Sequence, residues 1–242
     1  NSLLCSALRS VPSAWLRDLA GAWVFYSVLP GWPWPAPRFV RIARFAPWIG
    51  AVIGGLTAAV WLLLSALNWQ PAAIAPVALA FGLWLTGGLH LDGLMDTADG
   101  LAAGNDRCLE AMDDSRVGAS GAQALVIVLL LQFSALVQLG GLAPVALVTS
   151  AFFARVSPLW AMGRFRYLRR DGTAAFHRSN WCGWREGLPA LLLVVVTALL
   201  LFWLQPERLA DFAGGVLLGT LSALLPAEWL GRHLGGHTGD SY

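Results

Sequence analysis

The sequence predicts an all-α, polytopic integral membrane helical bundle of about six spans, preceded by an N-terminal interfacial segment, and three observations carry that prediction. Apolar residues fill 57% of the 242 positions and charged residues only 12%, where soluble domains carry about 25% charged residues. Six apolar stretches, about 46–67, 71–89, 122–140, 144–163, 187–204 and 209–230, each approach the roughly 20 residues needed to cross the hydrocarbon. All 16 basic residues are arginines; 14 fall on one side of the resulting topology, Arg208 alone on the other, and Arg155 within a span. No polar linker divides the chain, so residues 1–242 read as one membrane-embedded domain.

Residues 1–45 carry Arg9, Arg17, Arg38, Arg41 and Arg44 around Leu29-Pro30-Gly31-Trp32-Pro33-Trp34-Pro35. The prolines forbid a regular helix there, and the tryptophans favour the headgroup interface. A short amphipathic helix from Ser13 to Val28 is expected ahead of that piece. Asn68-Trp69-Gln70-Pro71, Gly140-Gly141-Leu142-Ala143 and Gln205-Pro206-Glu207-Arg208 make the short turns on one side. The other side receives residues 1–45, 90–121, 164–186 and the tail, and the positive-inside rule makes it cytoplasmic. Gly54-Gly55, Gly214-Gly215 and Gly219 suit tight helix contacts. Cys5, Cys108 and Cys182 lack metal-site spacing and imply no disulfide framework.

The stretch from Thr86 to Gly121 holds seven of the chain's 14 acidic residues between segments that are nearly all apolar. With residues 90–99 helical, Asp92, Asp96 and Asp99 fall within an arc of roughly 60° and His90 on the opposite side. Three such carboxylates at the centre of a bilayer would cost roughly 8–10 kcal/mol on insertion scales, so they face a wet cavity or a cation. Oxygen ligands without cysteine suit Mg²⁺ or Mn²⁺ rather than zinc. The plain alternative is an acidic, solvated helix end capping a span.

Two further features belong with this stripe. Gly163-Arg164-Phe165-Arg166-Tyr167-Leu168-Arg169-Arg170-Asp171-Gly172 is an orientation signal or, beside the carboxylates, a pyrophosphate clamp built on Arg164, Arg166 and Arg169. Arg155, mid-span, needs a partner, either one of the aspartates or a substrate phosphate. His233 and His237, four apart, lack a third ligand and read as interfacial residues; His177 and Arg178 receive no role.

Gly87-Gly88-x-His90-x-Asp92-Gly93-x-x-Asp96-Thr97-x-Asp99-Gly100, followed by Asp106-Arg107-x-x-Glu110-x-Met112-x-Asp114-Ser115-Arg116-x-Gly118, closely resembles the signature of the cobalamin synthase (adenosylcobinamide-GDP ribazoletransferase) family. The resemblance runs from about Phe25 to Tyr242. Ser27 and Val28 stand where that family usually has Thr-Arg, and Gly236-His237-Thr238-Gly239-Asp240 corresponds to a Gly-x-Thr-Gly-Asp element at its membrane face. The family continues into a further apolar helix, so one helix is expected beyond Tyr242.

The resemblance implies a multi-pass enzyme of the bacterial cytoplasmic (inner) membrane, with its active site facing the cytoplasm. It would join adenosylcobinamide-GDP to α-ribazole or its 5′-phosphate, release GMP and need Mg²⁺. Asp92, Asp96 and Asp99 would hold the metal. Arg116, Asp114, Ser115, Arg155, Arg164, Arg166, Arg169, Thr238 and Asp240 would bind substrate. The hydroxyl proton has two candidate acceptors, His90 and Asp99, with a supporting role suiting His90 better because it lies across the helix from the stripe. No nucleic-acid partner is expected; the lipid bilayer is, and a homo-oligomer stays open. Two rivals stand beside this reading. A CDP-alcohol-type headgroup transferase lacks its Asp-Gly-x-x-Ala-Arg beginning here, and a divalent-cation transporter would place its acids along the membrane midplane.

Overall fold

The computed structural model describes residues 2–104, 106–169 and 175–242, with side chains left out for residues 2–13 and for Arg178. Arg170, Asp171 and Gly172 of the arginine cluster lie outside the described residues, as do the side chains of Cys5 and Arg9. Among the described residues eleven α-helices follow one another: α1 (Ser2–Tyr26), α2 (Ala46–Ala66), α3 (Pro71–Leu85), α4 (Leu89–Ala103), α5 (Cys108–Asp113), α6 (Ala119–Leu139), α7 (Ala143–Phe153), α8 (Val156–Arg164), α9 (Ala175–Ser179), α10 (Leu188–Leu204) and α11 (Leu209–Leu234). No strand occurs among the described residues, only an isolated bridge between Tyr167 and His237.

Each predicted apolar stretch is helical, and Pro47, Pro71, Pro144 and Pro189 sit in first turns, where proline's missing N–H costs nothing. By length and composition four helical runs among the described residues can cross a membrane, or five where the bent pair α3–α4 counts as one span. The longest run, Ala119–Arg164, is broken at Gly140 (φ +52°). Leu136 of α6 and Ala143 of α7 share one buried cluster with Trp61, and farther along α7 Leu147 lies against Gly54 and Ala151 against Gly50, so α7 runs back along α2. Counting six passages from the sequence therefore differs from the helical runs at two places, the Gly140 reversal and the α3–α4 bend.

The helices meet through small residues. A Cβ on Gly54 would lie 2.6 Å from the Leu147 carbonyl oxygen, so α2 and α7 pack backbone to backbone. Gly219 gives the same access to the Phe153 ring, whereas Gly55, Gly214 and Gly215 face open space and make no such contact. The exposed leucines, valines and tryptophans of α6, α10 and α11 form the apolar exterior that a lipid-facing bundle presents.

The N-terminal segment is anchored by charge. Asp18, fully buried, accepts from Arg38 Nε (2.6 Å) and Nη2 (2.8 Å) and from Arg44 Nη2 (2.9 Å). Glu186, 2% exposed, accepts from Arg41 Nε (2.8 Å) and Nη2 (2.6 Å). Arginines counted in the sequence only as an orientation signal thus fasten residues 38–44 to α1 and to the segment before α10. The Pro-Trp piece stays irregular, as expected, and α1 begins well before Ser13.

Candidate functional site

Gly87 (φ +61°) and Gly88 (φ +77°) turn the chain by 91° between α3 and α4, a left-handed backbone that a side chain would strain. α4 therefore runs across the Arg-rich end of the bundle instead of continuing the span. Asp92 lies in its first turn, where the helix dipole favours a carboxylate. Gly93 is buried against the tail: a Cβ there would lie 2.5 Å from the Asp240 carbonyl oxygen, and Thr97 Oγ1 donates to that same oxygen at 3.4 Å. Through these contacts Asp240 joins Asp92 and Asp96. Burial, then the neighbouring Asp92 and Asp240 carboxylates, hold the Asp96 carboxyl above its usual range, and Arg169 opposes that rise.

Asp99 is directed elsewhere. Its two oxygens accept the backbone N–H groups of Gly118 and Gly121, both at 2.8 Å, which caps the start of α6. A helical stripe predicts which side chains share a face, but it does not show that an orphan helix terminus will claim one of them. Gly118 and Gly121 are small because a Cβ on either would run into the Asp99 carboxylate.

Asp92 and Asp240 border a cavity of about 160 Å³ whose other walls include His90, Arg155, Tyr26 and His177. Arg155 enters it from the break between α7 and α8 and is 4% exposed. Gly50 makes room for its stem, since a Cβ there would come 2.8 Å from Arg155 Cδ. Nη1 donates to the Ala151 carbonyl oxygen at 2.8 Å and Nε has no partner. The expected carboxylate partner is missing: no aspartate or glutamate forms an ion pair with Arg155 among the described residues. His90 also lines the cavity, where desolvation and then the Arg155 charge push the imidazole below its ordinary range.

The other candidates serve mainly to assemble the site. Arg169 pairs with Asp240 and with Asp113, each at 2.9 Å, tying the tail to α5. Arg166 Nε donates to the Gly235 carbonyl oxygen at 2.9 Å. Arg164 lies 3.8 Å from Glu228 and borders a separate apolar groove with Trp181 and Trp184. The three do not form the free clamp expected from their spacing, because the tail already occupies two of them. Thr238 is fully buried in a turn with Ser241, whose Oγ accepts the Thr238 N–H at 2.8 Å. His237, expected at the interface, is fully buried and bridges the Ala227 carbonyl oxygen (3.0 Å) and Ser241 (3.1 Å). Asp114, Ser115 and Arg116 lie on an exposed turn away from the cavity, where Arg116 Nη2 holds Asp114 at 2.7 Å.

Sequence reasoning missed His177 and Tyr26 as cavity walls. Neither sits in a charged motif, and the only local signal was the aromatic setting Phe176-His177 in a loop otherwise rich in arginine.

No three His, Cys, Asp or Glu side chains among the described residues converge closely enough to hold a metal unaided. The donor chemistry nevertheless suits a hard cation held by one or two carboxylates and completed by ligand oxygens, since Asp92, Asp96 and Asp240 share a region where Asp96 already resists ionisation. Gly93 is what allows Asp240 into that group. Substituting Gly93→Ala is expected to lift the tail from α4 and cost about 1–3 kcal/mol, measured as a lower thermal midpoint in detergent together with reduced turnover.

Fold and site together define an all-helical membrane protein whose polar residues converge on one cavity at the Arg-rich end. The profile of the family described as cobalamin-5-phosphate synthase matches residues 18–242. Two proteins named adenosylcobinamide-GDP ribazoletransferase, from Prochlorococcus marinus strains MIT 9303 and MIT 9313, are 59% and 58% identical to this chain, covering 94% of it and 90% of each relative. One of that name from Thermosynechococcus vestitus is 41% identical over 97% of this chain and 91% of its own length. No solved structure matches. The chain belongs to the cobalamin-5-phosphate synthase family and is a transferase.

Proposed function

We propose that the chain is a Mg²⁺-dependent phosphotransferase of a bacterial inner membrane that joins adenosylcobinamide-GDP to α-ribazole or its 5′-phosphate and releases GMP, with its site facing the cytoplasm. One observation carries the reading: a carboxylate group and a buried arginine without a counter-charge face the same cavity. A phosphate ester satisfies both, directly at the arginine and through a cation at the acids. The names of the relatives supply the substrates.

One or two carboxylates from among Asp92, Asp96 and Asp240 would hold the Mg²⁺, which would supply charge neutralisation at the pyrophosphate. Arg155 orients and neutralises phosphate from the opposite wall. A ribazole hydroxyl oxygen attacks the phosphorus attached to cobinamide, the bond to the GMP phosphate oxygen breaks, and the hydroxyl proton leaves to a neutral imidazole or solvent. Positioning and charge neutralisation supply most of the acceleration in such transfers. The Arg-rich end fits a cytoplasmic orientation and a nucleotide drawn from that side.

Purified protein supplied with Mg²⁺, adenosylcobinamide-GDP and α-ribazole should liberate GMP stoichiometrically with the joined product, while CDP-diacylglycerol should give no CMP. CMP without GMP would establish the lipid headgroup transferase in its place.

A further inference from the structure

We propose that the aromatic wall of the cavity formed by Phe25, Tyr26 and His177 takes the planar heteroaromatic base of the nucleoside substrate, and that His177 Nδ1 hydrogen-bonds the ring nitrogen of that base. The proposal rests on the transferase reading above and places the smaller of its two substrates.

His177 is 5% exposed and lines the cavity, yet its Nδ1 has no hydrogen-bond partner. A buried ring nitrogen left unpaired is costly, and a ligand atom can complete it. The surroundings are aromatic: Phe25 meets the imidazole edge-on at 5.6 Å, Phe176 lies 4.0 Å away, and Tyr26 lies nearly parallel (8°) at 6.5 Å between ring centres. Burial pushes the imidazole down to about 4, so near pH 7 it is neutral, with one N–H and one lone pair.

A neutral imidazole among rings suits an uncharged aromatic plate better than a phosphate, which Arg155 on the same cavity is better placed to meet. Size agrees with this division. About 160 Å³ lies below the roughly 300–1,000 Å³ of sites that hold drug-sized ligands. That volume is on the scale of a fused bicyclic base and too small for a corrin ring. His177 is therefore a specificity-determining residue, selecting nucleosides whose base carries an acceptor nitrogen opposite the glycosidic one.

The full-length protein with Mg²⁺ and adenosylcobinamide-GDP is to be assayed for GMP release with α-ribazole and with its indole counterpart, in which CH replaces the acceptor nitrogen. Wild type should favour ribazole by about tenfold in kcat/KM, the scale of one hydrogen bond. His177→Phe should bring the two ribosides close to equality without moving the KM for adenosylcobinamide-GDP, and His177→Gln, which keeps a donor, should recover part of the preference. A His177→Phe variant that keeps the whole preference overturns the proposal. Should that variant fail to fold, competition for ribazole binding in the wild type decides, and equal displacement by both ribosides overturns it. An active wild type that uses both ribosides equally overturns the base pocket while leaving the transferase reading intact; GMP release with neither overturns both.

Discussion

Replacing Asp96 with asparagine should lower turnover by about 10²–10³-fold, the scale of losing one electrostatic stabiliser in a preorganised site, while the bundle remains folded. The structure adds a second sign to this expectation. Asp96 ionises reluctantly in the fold because of burial, Asp92 and Asp240. Its folded pKa is raised, so the folded state binds more protons than the unfolded state in the window just above pH 3.8, and the stability gained there is lost as pH rises through the folded value. At neutral pH the ionised group is a net strain. Asparagine removes that strain, so the thermal midpoint without metal should stay level or rise, and the increment produced by Mg²⁺ should shrink. A variant with wild-type turnover and an undiminished Mg²⁺ increment would remove Asp96 from the cation site.

Arg155→Met should separate function from stability more sharply. Arg155 is 4% exposed, donates one hydrogen bond to the Ala151 carbonyl oxygen and forms no ion pair with a carboxylate among the described residues. An uncompensated buried charge is expensive, and replacing buried charged groups with well-packed apolar ones is often neutral or stabilising by about 1–4 kcal/mol. If Arg155 is kept to receive phosphate, methionine should raise the thermal midpoint and lower kcat/KM by at least about 10²-fold. A purely structural arginine would give the opposite pattern, a lower midpoint with turnover following the folded fraction.

Much of this architecture is legible in the sequence because apolar run length and arginine distribution act at the scale of whole helices. The acidic helix also follows directly, since the spacing of Asp92, Asp96 and Asp99 places all three on one face. What spacing cannot convey is competition for those side chains. Asp99 serves the α6 terminus, while Arg166 and Arg169 serve the tail, because orphan backbone groups and a neighbouring carboxylate lie within reach only after the chain has folded. Asp240 enters the site across a gap of more than 140 residues through the missing side chain of Gly93. His177 carries no periodic or charged signal at all; only its burial beside an open space marks it.

The sharp bend after α3 also affects the lipid. With 15 residues, α3 covers about 22 Å at 1.5 Å per residue, short of the roughly 30 Å hydrocarbon thickness. In a bilayer, neighbouring acyl chains would compress to meet it, and such mismatch costs fractions of a kcal/mol per Å. The headgroup layer would thereby be drawn inward beside the carboxylates, and an amphiphilic substrate resting at that dimple would reach Asp92 and Asp96 without sinking its charged end into oil. Bilayers of longer-chain lipids, which resist the dimple, should slow the enzyme relative to thin ones.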